Sequence, residues 1–488
     1  MNVVSLQGNI DPSYRRVLFG QEQGSLVDVF EARRPSVEQR LAAGKALREK
    51  VPRAAHARYD QHADRPDPIA ILEQQSATRV QKLIPVRYAR MLASPFYFLR
   101  GSAAVMAADL SRTPISGLTV SACGDMHLSN FDVYGSAERN LVFAINDFDE
   151  TRPGPWEWDL KRLAASAAVA VRFMDGDNVA AENAARACVQ SYRTRMRRYA
   201  DMGHLEVWYE RIDEASVLGA LSPKVRPFAE EVIAKAHARG HIRSLDKLTE
   251  QVDGEPRIVE AAPLIVHETH TESGKPIRDA LNDMLHAYVH SLPLDRRRLV
   301  ARYRVVDVAR KVVGVGSVGT ECWVILLQGT DTNDPLFLQV KEAQPSVLAP
   351  YVDIKLPMDN QGERVVVGQR GAQGSPDIFL GWGEAEGGYF YVRQLADMKG
   401  TTSFDAGDKR NVGDAIEYCG LCGWALALAH AKSGDPAMIA GYCGESDALD
   451  EAIAKFAIAY AKQTEQDHAA LDKARRSGRI RVAAERLV

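Results

Sequence analysis

Residues 120–150, VSACGDMHLSNFDVYGSAERNLVFAINDFDE, gather Asp125, His127, Asn130, Asp147 and Asp149 into two polar knots. Two carboxylates and an amide converging on one place offer hard oxygen donors. Mg²⁺ takes such donors, usually together with phosphate oxygens. A carboxylate beside them can also accept a proton from a hydroxyl. The same residue types cap Asp/Asn-rich turns between hairpin strands, and either knot alone reads better that way. The two together point to a cleft.

Each knot follows a short apolar run, LTVSAC (118–123) and LVFAI (141–145), bounded by turn residues. Such runs are expected as buried strands, so Asp125 and Asp147 should sit on loops at strand C-terminal ends. Pro153 and Pro155 then impose a turn, and the Ala-rich stretch 158–173 reads as a buried helix. Further helices are expected over 180–202, 222–240 and 275–291. Residues 87–109 read as a helix interrupted at Pro95, followed by a structurally paired or solvated Arg100.

At about Leu299 the texture turns β-rich on both sides of G-V-G-S-V-G, which supplies Gly314, Gly316, Ser317 and Gly319. PLFLQVKEA follows with Lys341, then a charged segment 360–373, then GGYFYVRQL. The order is strand, glycine turn, strand, strand with Lys341, helix, strand. CWVILLQG continues as a strand after the third glycine, whereas a dinucleotide fingerprint needs a helix there. Glycines let a backbone approach phosphate, and a lysine supplies charge to it. Glu363 or Glu342 would orient Lys341. Taken alone, a glycine-rich hairpin is also a common structural feature.

The pair GDMHLSN and NDFD resembles the active-site core of the protein-kinase-like superfamily, in its aminoglycoside and choline phosphotransferase branch. That resemblance implies Asp125 as catalytic base in a loop with His127, Asn130 and Asp147 as metal ligands, and Asp149 as a second acidic position. It also makes Asp159, in WEWDL, the residue that steadies the catalytic loop. The first histidine of the family's loop is Cys123 here. SPFYFLRG, CGDMHLSNF and NDFDETRPGPWEWDLKR are similar to a bacterial family called domain of unknown function 2252, over about 87–471. The implied fold is α+β and two-lobed like a kinase. Because Gly314 and Lys341 follow Asp147 instead of preceding it, a circular permutation is also implied. Residues 417–435 resemble the helix that leads into the catalytic loop, which agrees with that, although no Asn follows Asp435 at loop spacing. The corresponding organisation is an extension over 1–84, a helical catalytic lobe over 85–298, a β nucleotide lobe over 299–405 and C-terminal helices over 406–488.

The function so implied is ATP- and Mg²⁺-dependent transfer to a hydroxyl of a small molecule or protein. A metal-dependent phosphoesterase is the second reading, since Gly-Asp-x-His also opens two-metal sites. It lacks the later G-N-H and further histidines it would need. A non-catalytic nucleotide-binding module is the third, kept open by Cys123.

A composition of 46% hydrophobic and 26% charged residues, with a formal net charge of −3, fits a globular chain. It gives no reason to expect nucleic acid or an anionic membrane surface as partner. No apolar leader opens the sequence and no eighteen apolar residues run together, so no membrane span is expected. Six cysteines are too few for a disulfide scaffold, and a reducing cytoplasm is the expected setting. Cys419-x-x-Cys422 lies on an expected helix without a second pair and reads as core. His267 and His270 in HETH lack zinc-helix spacing and are expected on the surface. A helix over 447–468 and a solvated basic tail, KARRSGRIR, close the chain. Oligomeric state is not legible.

Overall fold

The structure is a computed structural model that describes residues 2–6, 17, 25–59, 63–238, 245, 248–331, 334–395, 398–401 and 411–484. It mixes helices with antiparallel sheets. Both expected strands around the polar knots form. β1 (Thr119–Ala122) pairs with β4 (Arg152–Pro155), and β2 (Phe131–Gly135) pairs with β3 (Leu141–Ile145) and β13 (Gly400–Thr401). Pro153 and Pro155 therefore lie in a short strand instead of a free turn; a two-stranded ribbon leaves an edge on which prolines are tolerated.

Pro155 caps helix α1 (Trp156–Phe173), in which every residue from Trp156 to Val171 is buried. Around it pack α2 (Asn178–Ala200), α5 (Val412–Ser433) and α6 (Ala448–Arg476). α5 has the length and the mean hydropathy, 1.2, of a membrane span, but is largely buried in this core. A Cβ at Gly423 would stand 2.1 Å from the Cys188 carbonyl oxygen, so glycine lets α5 touch α2. Cys419 and Cys422 are buried there, and none of the six cysteines forms a disulfide.

The helices expected over 180–202 and 275–291 appear as α2 and α3 (Ile277–Ser291). That over 222–240 runs Arg226–His237, and Gly240 lies outside the described residues. The stretch 87–109 breaks into Ile84–Leu92, Pro95–Gly101 and Ala103–Leu110, with a second break at Ser102. α6 runs past His468 to Arg476 because Leu471 and Ala474 still pack against Phe98 and Val105. The basic tail is ion-paired: Arg479 meets Asp67 and Glu73, each at 2.7 Å.

The β-rich region builds a six-stranded sheet, in the order β11, β12, β10, β9, β8, β7. Its strands are β7 (Ile265–Val266), β8 (Arg304–Lys311), β9 (Cys322–Gln328), β10 (Pro335–Glu342), β11 (Gly381–Ala385) and β12 (Gly388–Gln394). α3 covers one face through Met284 and Tyr288 on Ile325, Leu338, Val340 and Val392. Strand alternation sends Lys341, Tyr391 and Arg393 to the other face. Helix α4 (Gln361–Ala372) lies between β10 and β11 in sequence.

Candidate active site

One face of α1 holds the loop that follows β1. Asp159 accepts the backbone N–H of Cys123 at 2.6 Å and of Gly124 at 2.9 Å. Arg162 donates Nε to Asp125 Oδ1 at 3.0 Å, and its Nη2 reaches the same oxygen. Ser166 Oγ accepts the Leu128 N–H at 3.0 Å. Spaced i, i+3 and i+7, these three side chains share a helix face. Asp159 thus holds the loop as the sequence reading expected. Gly124 has φ +78°, and a Cβ there would stand 2.7 Å from the Glu150 carbonyl oxygen, so the turn requires glycine.

Within the loop, Asn130 Nδ2 donates to the Asp125 carbonyl at 2.7 Å. His127 Nδ1 accepts the Ser129 N–H at 3.2 Å, and Nε2 lies 3.9 Å from Asp125 Oδ2. Burial, then the charges of Arg100 and Arg162, push the His127 imidazole well below its ordinary pKa, so it is neutral. It caps the turn. Burial raises the Asp125 carboxyl, against the opposing pull of Arg162.

In the second knot, Asp147 Oδ1 accepts the Asp149 N–H at 3.2 Å. Asp149 Oδ2 lies 2.6 Å from Lys341 Nζ and accepts Ser317 Oγ–H at 3.2 Å; its Oδ1 accepts the Tyr391 hydroxyl at 2.5 Å. Burial pushes the Asp149 carboxyl up, but the Lys341 ammonium overrides it and holds the group at about 2. Asp149 is thus the counter-ion of Lys341. This corrects the expectation that Glu363 or Glu342 orients the lysine. Glu363 sits in the first turn of α4, its N–H bonded to Asn360. Glu342 accepts from the Glu321 N–H and from Gln344. What α4 sends inward is Arg364, which donates to the carbonyls of Thr151, Asp149 and Gln344.

The glycine turn lies over the first knot. A Cβ at Gly316 would stand 3.0 Å from the Arg100 carbonyl and 3.7 Å from Asp125 Oδ2. Gly314 and Gly319 take φ +63° and +90°, which L side chains rarely adopt. Arg79, unread in the sequence, fastens the turn by donating to the carbonyls of Gly316 and Val318. The result is a cavity of about 80 Å³ lined by Asp125, His127, Asn130, Asp147, Asp149, Gly314, Gly316 and Ser317. Lys341 reaches it through Asp149, while Gly319 and Glu363 do not line it. Outside this site, His267 is half-buried and pairs with Asp307 at 2.9 Å, so HETH is not simply a surface run.

The donor chemistry fits a Mg²⁺ ion. Asn130 commits its amide N–H to Asp125, which leaves the side-chain oxygen as a donor, and Asp147 offers a carboxylate. Among the described residues no three His, Cys, Asp or Glu side chains form a cage. Phosphate oxygens and waters would complete such a shell.

The architecture defines a class: a mixed α+β protein whose helical core and β-sheet meet at a charged internal cleft. The family of uncharacterized proteins conserved in bacteria named DUF2252 matches residues 79–474, and the chain belongs to it. No curated protein and no solved structure matches the chain.

Proposed function

We propose that the chain is an ATP- and Mg²⁺-dependent phosphotransferase of the kinase-like kind, two-lobed and circularly permuted, acting on a hydroxyl acceptor. The observation that carries this reading is the meeting at Asp149 of Ser317 and Lys341, residues 168 and 192 positions away in sequence. Phosphoryl transfer needs a glycine turn, a lysine and two acidic loops at one phosphate, and these elements meet here although they are far apart in sequence.

Asp125 accepts the acceptor hydroxyl's proton, and its burial-raised pKa makes it a better base than a solvated aspartate. Arg162 fixes which way that carboxylate points. Asp147 and Asn130 hold Mg²⁺, which when bound neutralises charge on the phosphate oxygens. The N–H groups of 314–319 and the Lys341 ammonium hold the phosphates. A ligand of nucleotide size needs a pocket of roughly 300 Å³ or more, so the glycine turn lifts off Asp125 to admit it. A non-catalytic nucleotide binder is the second reading, favoured by the Asp125–Arg162 ion pair, which occupies the base.

Calorimetric titration with Mg·ATP and an ADP-release assay, on the full chain and on Lys341→Ala, test this. The expectation is binding and slow turnover, both strongly reduced in Lys341→Ala while the variant stays folded by its melting curve. Binding without turnover selects the second reading. Hydrolysis of a generic phosphodiester, unchanged in Lys341→Ala, would establish a phosphoesterase instead.

A further inference from the structure

The face of the six-stranded sheet opposite Lys341 carries a second and larger cavity, about 430 Å³, within the size range of small-molecule sites. Its wall is apolar: Ile277, Leu281 and Met284 of α3 face Val308, Trp323, Val340 and Phe390 of the sheet. The register shows why these four share a face. Val340 lies opposite Trp323, Glu342 opposite Phe390 and Ile325 opposite Val308, while Lys341 pairs with Tyr391 and Cys322 on the other side.

The polar groups at the rim are mostly of one sign. Glu272, Glu321, Glu342 and Glu386 all line the cavity. Lys82 offsets Glu272 at 2.9 Å. Arg79 also lines the cavity; its guanidinium donates to the carbonyls of Gly316 and Val318 and its charge partly offsets Glu342. Among the described residues Glu321, Glu342 and Glu386 enter no ion pair; they bond to the Trp323 indole, to the Glu321 N–H with Gln344, and to the Ser273 hydroxyl. Burial raises the Glu321 carboxyl, the Trp323 indole opposes it, and Glu342, Glu272 and Glu386 add to the rise, so the carboxylates outweigh the cations at this rim.

An anionic nucleotide is repelled by such a rim. A protonated amine is attracted by it, and the flat faces of Trp323 and Phe390 suit the apolar body that carries the amine. We infer that this cavity is a binding site for an organic cation, a protonated amine on a compact apolar or aromatic body, adjoining the cleft around Asp125, with which it shares Arg79 and Glu342 as walls. The inference does not depend on ATP binding.

The probes are 4-phenylbutylamine, 4-phenylbutanol and 4-phenylbutyrate, which share one body and differ in charge. Titration calorimetry on the full chain should give the order amine, alcohol, acid, with the amine favoured over the alcohol by about tenfold, the size of one charge-assisted contact. Glu321→Gln combined with Glu342→Gln should erase that preference but leave the alcohol's affinity unchanged. Ala280→Phe, which fills the cavity from the α3 side, should abolish binding of the amine at an unchanged melting temperature. No detectable amine binding, equal affinity for the acid, or amine binding that survives Ala280→Phe would overturn the inference.

Discussion

Arg162→Met isolates what holds the loop under the glycine turn. Arg162 is 1% exposed and Asp125 21%, so the pair is buried on one side and reachable by water on the other. Methionine keeps an apolar side chain of similar volume but removes two donors to Asp125, one at 2.8 Å to the Leu99 carbonyl, and the Nη1 donor to the Met106 sulfur. Breaking a fully buried pair costs about 3–5 kcal/mol. Water access to Asp125 lowers that share, and the lost donor to Leu99 adds about 1 kcal/mol. The expected loss is about 3 kcal/mol at pH 8 in urea unfolding with EDTA present. It should shrink at pH 5. Without Arg162, its largest lowering influence, burial and the Asp147 charge act on Asp125 against Arg100 only and raise its folded pKa further above the unfolded carboxylate value. Such a group contributes stability that is full below the unfolded value and lost as pH rises through the folded one. The variant should therefore recover about 1 kcal/mol or more on going from pH 8 to pH 5. Adding Asp125→Asn to Arg162→Met removes the stranded charge and should recover most of the loss at pH 8. A cost below about 1 kcal/mol in the single variant, or a double variant no more stable than the single, would show that the pair does not hold the loop.

Three further outcomes follow from the same site. Asp147→Asn should weaken Mg·ATP binding, while Asp125→Asn should retain binding and lower turnover by about 10²–10⁴-fold; parallel calorimetry and ADP release would refute the assigned roles if the two patterns were exchanged. Asp159→Asn puts an NH₂ against one of the two N–H groups of Cys123 and Gly124, and should cost about 2–4 kcal/mol in urea unfolding; a loss under 1 kcal/mol would contradict the anchoring role. Gly316→Val, with a branched side chain beside the Arg100 carbonyl and Asp125, should lower kcat/KM for ATP by about tenfold or more at little cost in melting temperature; unchanged kinetics would mean that the turn does not close on substrate.

Local pattern made the scaffold of the cleft legible: two apolar runs ending in acidic knots, a glycine turn between strands, and a lysine on the third. What stayed hidden were the pairings between distant segments. Arg162 lies inside the stretch expected as a buried helix, and the residues next to it do not point to its partner, Asp125 in the loop. The spacing of Asp159, Arg162 and Ser166 on an otherwise Ala-rich helix was the available signal. By analogy of position Glu363 is the expected partner of Lys341; α4 turns Arg364 inward instead, and Asp149 takes the lysine. A shift of one residue around a helix is about 100°, more than sequence periodicity resolves on a twelve-residue segment. The final helix outran its expected end because its last turns find apolar partners on the 95–110 helices, which no local propensity reports.

The Lys341–Asp149 contact makes anion and cation occupancy thermodynamically conjugate. Lys341 has one ammonium, and Asp149 holds it at 2.6 Å. An anion that takes the lysine leaves Asp149 with the Ser317 and Tyr391 hydroxyls and the more distant Arg393 charge but no ammonium, a cost that a positive charge arriving with the anion would offset. A divalent ion next to Asp149 has the mirror problem until the lysine finds another partner. Each ligand would then strengthen the other by the same factor. If the proposed function holds, free phosphate or metal-free nucleotide should bind far less well than the metal-neutralised form.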